Sequence, residues 1–246
     1  MKILLVTLGG IAIALSSNFL EEQKRNARVK EAITKKQQKI RSELAKCGLE
    51  TGNFSLLVIA FKDHDRVDLY VRHVENEQFM ILRSFPICSR SGTLGPKRRR
   101  GDYQVPEGFY HIDRFNPYSN YHLSLGINYP NTSDRRRSTA SNLGGDIFIH
   151  GSCATVGCLP MTDDGIKEIY LYAVHARNNG QMKIPVYIFP FEMTDTNFEI
   201  YCKEYGGTAE LIHFWTDLKE GYNIFMRTNR ELQFAIAPNG EHVFEP

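Results

Sequence analysis

The chain has 246 residues, 42% hydrophobic and 24% charged, enough for one sizeable globular domain with the N-terminal fifth as an accessory. A formal net charge of +2 lacks the strongly basic face that nucleic acid requires, so no nucleic-acid partner is expected. Five cysteines (Cys47, Cys88, Cys153, Cys158, Cys202) are too few and too scattered for a disulfide scaffold, and their pairing is not legible.

Lys2 precedes Ile3–Leu15, apolar apart from Thr7, Gly9 and Gly10. Residues 1–20 therefore read as a signal peptide or an uncleaved membrane anchor, and either places the rest of the chain outside the cytoplasmic membrane. Residues 21–50 form an amphipathic helical segment. Glu21–Lys46 is rich in charge, free of Gly and Pro, and carries Val29, Ile33, Ile40 and Leu44 on one stripe. Such a helix either packs on the domain or spaces it from the membrane. Gly48 and Gly52 end it.

From residue 53 to 246 the texture is that of one mainly β domain. Phe54–Phe61 is a nearly continuous apolar run, and Val67, Leu69 and Val71 alternate with polar residues. Asp63–Asp65 between them reads as a hairpin turn. Further strands are expected over Gln78–Leu82, Phe109–Ile112, Tyr121–Ile127, Asp146–His150, Pro185–Phe189 and Leu232–Ala237. The turn at Asn239-Gly240 would return Glu241–Phe244 as a last strand. Helices are expected from Thr162 or Asp163 to Asn178, with Ile166, Ile169, Tyr170 and Val174 inward. Two more are expected, over Asp195–Tyr205 (ended by Gly206-Gly207) and over Ala209–Lys219. The basic runs Lys97–Arg100 and Arg135–Arg137 read first as solvated loop charge, and alternatively as a rim for an anionic polymer.

The chemistry concentrates in Ile147–Asp163. A short apolar strand delivers His150 into a loop, and Cys158 follows eight residues later behind Gly157. A thiol attacks carbonyls well only as thiolate, and a neighbouring imidazole supplies the base. Cys158 is thus the expected nucleophile and His150 the general base and acid. Gly151 provides the turn after the histidine. Backbone N–H groups around Gly157 and Cys158 are the expected oxyanion donors, and Thr155 would orient the loop or cap a turn. A helix starting at Thr162 would lower the thiol pKa through its dipole. The group orienting His150 is either a backbone carbonyl or a side chain such as Ser152. His122 is a competing base. His150, Cys153 and Cys158 could also ligate zinc, but neither spacing fits a common structural site, and a disulfide from Cys153 is the better reading. No metal and no cofactor are expected.

Ile149-His150-Gly151 followed by Thr155-Val156-Gly157-Cys158 resembles the signature of the L,D-transpeptidase (YkuD-type) family, which remodels bacterial peptidoglycan. The compact form, with Met161-Thr162-Asp163 behind it, is similar to the family's YafK-like branch. So are Leu94–Lys97, Gly101-Asp102, Gln104–Tyr110, His122–Pro130 and Pro190–Thr194, in the expected order. Leu159-Pro160 stands where most of the family has an apolar residue and an arginine. The resemblance implies an L,D-transpeptidase-like β-sandwich with an N-terminal helix and further helices on one side and in the C-terminal third. It also implies a thioester acyl-enzyme on Cys158, formed from a peptidoglycan stem peptide at a bond following a diaminopimelate-type residue. By resemblance, Tyr121, His122, Ser124, Asn128 and Tyr129, with Thr155 and Ser152 of the loop, contact substrate. An amine would resolve the intermediate in transpeptidation and water in hydrolysis, for instance as an L,D-carboxypeptidase or an amidase releasing a wall-attached protein or lipoprotein. A non-catalytic wall-binding module is the remaining reading. The implied location is the periplasmic cell envelope.

Overall fold

The structure is a computed structural model and describes residues 19–205 and 208–245. Nearly all of the expected signal or anchor segment, and the Gly206-Gly207 helix stop, lie outside the described residues. The elements run α1 (Phe19–Gln23), α2 (Ala27–Lys46), β1 (Phe54–Phe61), β2 (Arg66–His73), β3 (Met80–Pro86), β4 (Gly108–Asn116) and β5 (Ser124–Ile127). They continue with α3 (Thr132–Arg137), β6 (Phe148–His150), β7 (Leu159–Pro160), α4 (Asp163–Asn178), β8 (Ile184–Phe189), α5 (Asp195–Tyr205), α6 (Ala209–Thr228), β9 (Phe234–Ile236) and β10 (His242–Phe244). Among the described residues no helix is long and apolar enough to cross a membrane.

The expected N-terminal helix is two helices. Asn26 adopts an extended backbone and its side chain accepts from Arg28 N, which caps α2 afresh after α1. Val29, Ala32, Ile40 and Leu44 on α2 are fully buried, so this helix packs on the domain. At the other end of the chain, α6 continues to Thr228, beyond the expected Lys219, because Phe225 still faces the core. Asn229 closes it in a left-handed conformation, with φ of 54°. The short α3 had no apolar periodicity to announce it. Asn131 and Asp134 instead build a reciprocal capping box at its start.

Eight strands form one sheet in the order β3-β2-β1-β8-β4-β5-β6-β7. β1 pairs parallel with β8, and β6 parallel with β7. This is the expected strand-rich fold with flanking helices, and helices cover both faces of the sheet. On β1, Leu56, Val58 and Ala60 enter the core shared with α2 and α4, while Leu57, Ile59 and Phe61 enter a second core against α6. Burial on both faces explains why Phe54–Phe61 shows no polar alternation. The second core is largely aromatic, with Phe109, Phe189, Phe191, Trp215 and Tyr222 packed around α6. It extends under β2, β1, β8 and β4. Beyond β4, the same face of β5, β6 and β7 is left open, and the candidate site lies there.

The two basic runs are only partly solvated loop charge: Arg99, Arg100 and Arg135 are exposed, while the others are engaged by the fold. Lys97 is buried and bonded to Asp102 Oδ1 at 2.6 Å. Arg98 and Arg137 both lie over the Phe214 ring, and Arg137 donates to Asp217 Oδ2 at 2.6 Å. Arg136 donates to the Ile236 and Ala237 carbonyls. These arginines fasten α3 and the preceding loop to the C-terminal layer.

Candidate active site

Parallel pairing of β6 with β7 sets Ile149 opposite Leu159 and His150 opposite Pro160. The loop 151–158 must therefore travel back along the strand, and it brings Cys158 beside Phe148. Strand alternation then decides what faces what. Ile149 and Leu159 point into the core with α4, while Phe148, His150 and Cys158 share the open face, joined by Ser124 opposite His150 on β5.

His150 is 2% exposed, and its Nδ1 lies 2.6 Å from the Gly151 carbonyl oxygen. A carbonyl only accepts, so Nδ1 carries the proton and Nε2 keeps its lone pair in the neutral ring. Gly151 is thus the orienting group; Ser152 instead gives its backbone N–H to Asp163 Oδ1 at 2.8 Å. The Tyr121 ring lies against the imidazole, with centroids 4.8 Å apart. Burial holds His150 below the ordinary histidine value of 6.5, and the Gly151 hydrogen bond opposes this.

Cys158 is half-buried, with Sγ 3.6 Å from the Asp146 carbonyl oxygen. Burial pushes its thiol above the ordinary value of 9.0; the Phe148 backbone hydrogen bond favours thiolate, and the Asp146 charge disfavours it. The net shift is upward, opposite to the lowering expected from a helix dipole. β7 intervenes before α4 begins at Asp163, and the cap of that helix is spent on Gly165 N through Thr162 Oγ1. Burial thus favours the uncharged form of both groups, thiol and imidazole.

The expected oxyanion donors are both engaged by the protein itself. Gly157 N donates to Ser91 Oγ at 2.9 Å, and Cys158 N to Thr155 Oγ1 at 3.0 Å. Thr155 also donates to Cys158 O, closing the turn. Gly157 is required by its φ of 86° and by the Gln104 carbonyl, which a Cβ would approach to 3.0 Å. A disulfide joins Cys88 to Cys153, fastening the loop to the segment that carries Ser91. This removes Cys153 as a zinc ligand, and no group of three metal-ligating side chains occurs among the described residues.

Two recesses meet at Cys158. One, of about 470 Å³, contains His150, Tyr121, Ser124, Thr155 and Asp146. The other, of about 410 Å³, is walled by Arg90, Ser91, Leu94 and Lys62 and roofed by Tyr201 and Tyr205 of α5. Of the residues expected near substrate, Tyr121, Ser124 and Thr155 line the first recess. Four others lie elsewhere. His122 turns away with a buried Nε2 that has no hydrogen-bond partner. Asn128 accepts from His111 N, and Tyr129 is a core residue whose hydroxyl donates to the Lys97 carbonyl. Ser152 is exposed at the outer side of the loop. Reading the sequence missed Ser91, Arg90 and the α5 tyrosines, because nothing local marks a contact made across the fold.

Residues 63–188 match the L,D-transpeptidase catalytic domain family, YkuD. The chain is 38% identical over 185 residues to YafK of Escherichia coli K12, a protein named for the L,D-transpeptidases, covering 74% of this chain and 71% of YafK. The same figures hold for the protein of strain O157:H7. Among solved structures, the helical cell shape determining protein Pgp2 from Campylobacter jejuni aligns over 80% of both chains, with 17% identity and a TM-score of 0.45. Bd1075 of Bdellovibrio bacteriovorus aligns over 74% of this chain and 75% of its own, with 19% identity and a TM-score of 0.40.

Proposed function

The chain belongs to the L,D-transpeptidase (YkuD) catalytic domain family, and from that premise we propose that it is a peptidoglycan-modifying cysteine acyltransferase of the bacterial cell envelope. The observation that carries the reading is the joint placement of Cys158 and His150 on one open sheet face, with His150 Nδ1 tied to Gly151 so that Nε2 is the free base. Cys158 Sγ attacks a stem-peptide carbonyl carbon while its proton passes to His150 Nε2. The C–N bond breaks, the imidazolium returns that proton to the departing amine, and a thioester remains. An incoming amine attacks the thioester, gives its proton to Nε2, and the thiol is regenerated. The developing oxyanion draws on the N–H groups of Gly157 and Cys158 by exchange with the Ser91 and Thr155 hydroxyls.

Geometry also divides the cleft. Leaving and entering amines both exchange a proton with His150, so both use the recess that His150 lines. The acyl portion then extends into the recess under α5. Hydrolysis is the second reading, favoured by Pro160 where the wider family has an arginine. Water in the His150 recess would resolve the same thioester and release a stem residue or a wall-attached protein. No cofactor takes part in either route.

The test is mass spectrometry of purified muropeptides incubated with the full chain, with Cys158→Ala as control. The full chain matters because a truncation at Ile40 would cut through the buried face of α2. Joined stems identify transpeptidation, and trimmed stems hydrolysis. Loss of either product in Cys158→Ala, on the order of 10⁴-fold, is expected for removal of the nucleophile. Full activity in that variant would overturn the assignment.

A further inference from the structure

Arg28, in the first turn of α2, lies outside residues 63–188, yet its guanidinium reaches the catalytic neighbourhood. Nη1 donates to the Ser119 carbonyl and, at 2.6 Å, to the His122 carbonyl. Among the described residues Arg28 forms no ion pair, so these two carbonyls are what its charge is spent on. They bracket the loop between β4 and β5. Within that loop His122 has φ of 68° and a buried Nε2 without a partner. A backbone of that kind keeps its shape only where contacts from outside impose it.

The loop in turn touches both groups that set the base. Tyr121 lies on the His150 imidazole. Leu123 O accepts from Gly151 N at 3.1 Å, and Tyr121 O sits 2.9 Å from where a Cβ on Gly151 would stand. Gly151 carries the carbonyl that orients His150 Nδ1. Helix α2 is itself seated along α4 by ion pairs, Lys39 with Glu168 at 2.9 Å and Lys167 with Glu31 at 3.2 Å. Next to this seam, Asp163 of α4 holds Ser152 N.

We propose that Arg28 is a positioning residue for the His150–Cys158 reaction, clamping the 117–123 loop so that Tyr121 and Gly151 hold the imidazole in register. Docking of the N-terminal helix thereby becomes a condition of catalytic competence and not only of stability. The proposal rests on the reading of His150 as the base. The groups facing the imidazole are the Tyr121 ring, the Gly151 carbonyl, Ser124 and, across the recess, Cys158 and Asp146.

The experiment follows the His150 Cε1–H resonance through a pH titration of the full chain, assigned with His150→Gln, alongside muropeptide turnover. In the native chain the midpoint should lie below the ordinary 6.5. Arg28→Ala should hydrate the ring and raise the midpoint by about half a unit or more. The kcat should fall about tenfold or more as the base loses its position. Arg28→Lys keeps a donor for the carbonyls and should recover part of both. Lys39→Ala weakens the helix seam without touching the loop, so it should lower Tm and leave the titration in place.

A native midpoint and native kcat in folded Arg28→Ala would overturn the proposal, as would an equal shift in Lys39→Ala. If Arg28→Ala does not fold, Arg28→Gln and Arg28→Lys decide. A reduced Tm with an unmoved midpoint in both would make the contact merely structural. The titration needs no substrate, so a shift without muropeptide turnover would sink the enzymatic reading and leave the clamp standing.

Discussion

The two recesses that meet at Cys158 are built on different terms. The His150 side is formed by the ends of three strands and by loops tied to backbone groups: Gly151 O on the imidazole, Thr155 on Cys158, Arg28 on the Tyr121 loop. The α5 side is formed by side chains from distant segments. Tyr201 donates to Asp63 Oδ2 at 2.7 Å, Arg90 to the Asp63 carbonyl at 2.8 Å, and Lys62 is held beneath by Glu107. One side holds its side chains through backbone hydrogen bonds, which on the proposed function fix the proton transfer. The other is a wall of side chains from the 87–94 segment, closed by Tyr201 and Tyr205 from beyond the 63–188 family match. On the proposed function, reaction chemistry belongs to the first and substrate selection to the second.

The largest break in that contrast would come from His150→Gln. Removing the base should lower kcat by about 10²–10⁴-fold with little change in KM, measured by steady-state kinetics. A KM effect of that size instead would move His150 into binding. Next comes Glu107→Gln. Glu107 is buried and accepts from Lys62 Nζ at 2.8 Å, Gly95 N at 2.7 Å and Trp215 Nε1 at 2.9 Å, joining α6 to the floor of the α5-side recess. Its charge opposes the burial that pushes Lys62 down. Leaving that ammonium unpaired should cost about 3–5 kcal/mol in denaturant unfolding. A loss below about 1 kcal/mol would show that Lys62 simply sheds its proton there.

Tyr205→Ala should sharpen the comparison from the α5 side. Tyr205 is partly exposed at the roof and contacts no catalytic group, so KM should rise about tenfold while kcat holds. A fall in kcat alone would contradict the division of labour. The smallest effect is on the acid limb of kcat/KM. The competent base is neutral imidazole, and burial holds His150 low, so activity persists below pH 6.5 and is lost only as pH falls through the lowered value. A limb centred above 6.5 would place the base elsewhere. The stability linkage has the same sign. An imidazole that protonates more readily when unfolded favours folding at higher pH and withdraws that contribution as the solution is acidified.

Much of the fold was legible because local patterns carried it. The Phe54–Phe61 run, the Val67-Leu69-Val71 alternation, the Thr162 cap and the Asp195–Tyr205 helix all reappear where periodicity and capping chemistry put them. His150 and Cys158 were legible as a pair because they flank one short loop with glycines at its turns. The sequence by itself therefore determined most of the elements and the pairing of Cys158 with His150 in one short segment. Tertiary structure alone decided that α2 joins the core, that Cys88 is the partner of Cys153, and that Ser91 occupies Gly157 N. It also decided that Asn128 and Tyr129 support the scaffold outside the cleft, and that Arg28 grips the Tyr121 loop. The physical reason is range: strand alternation and helix caps act between residues a few positions apart, whereas these contacts join segments brought together only when the sheet closes its register.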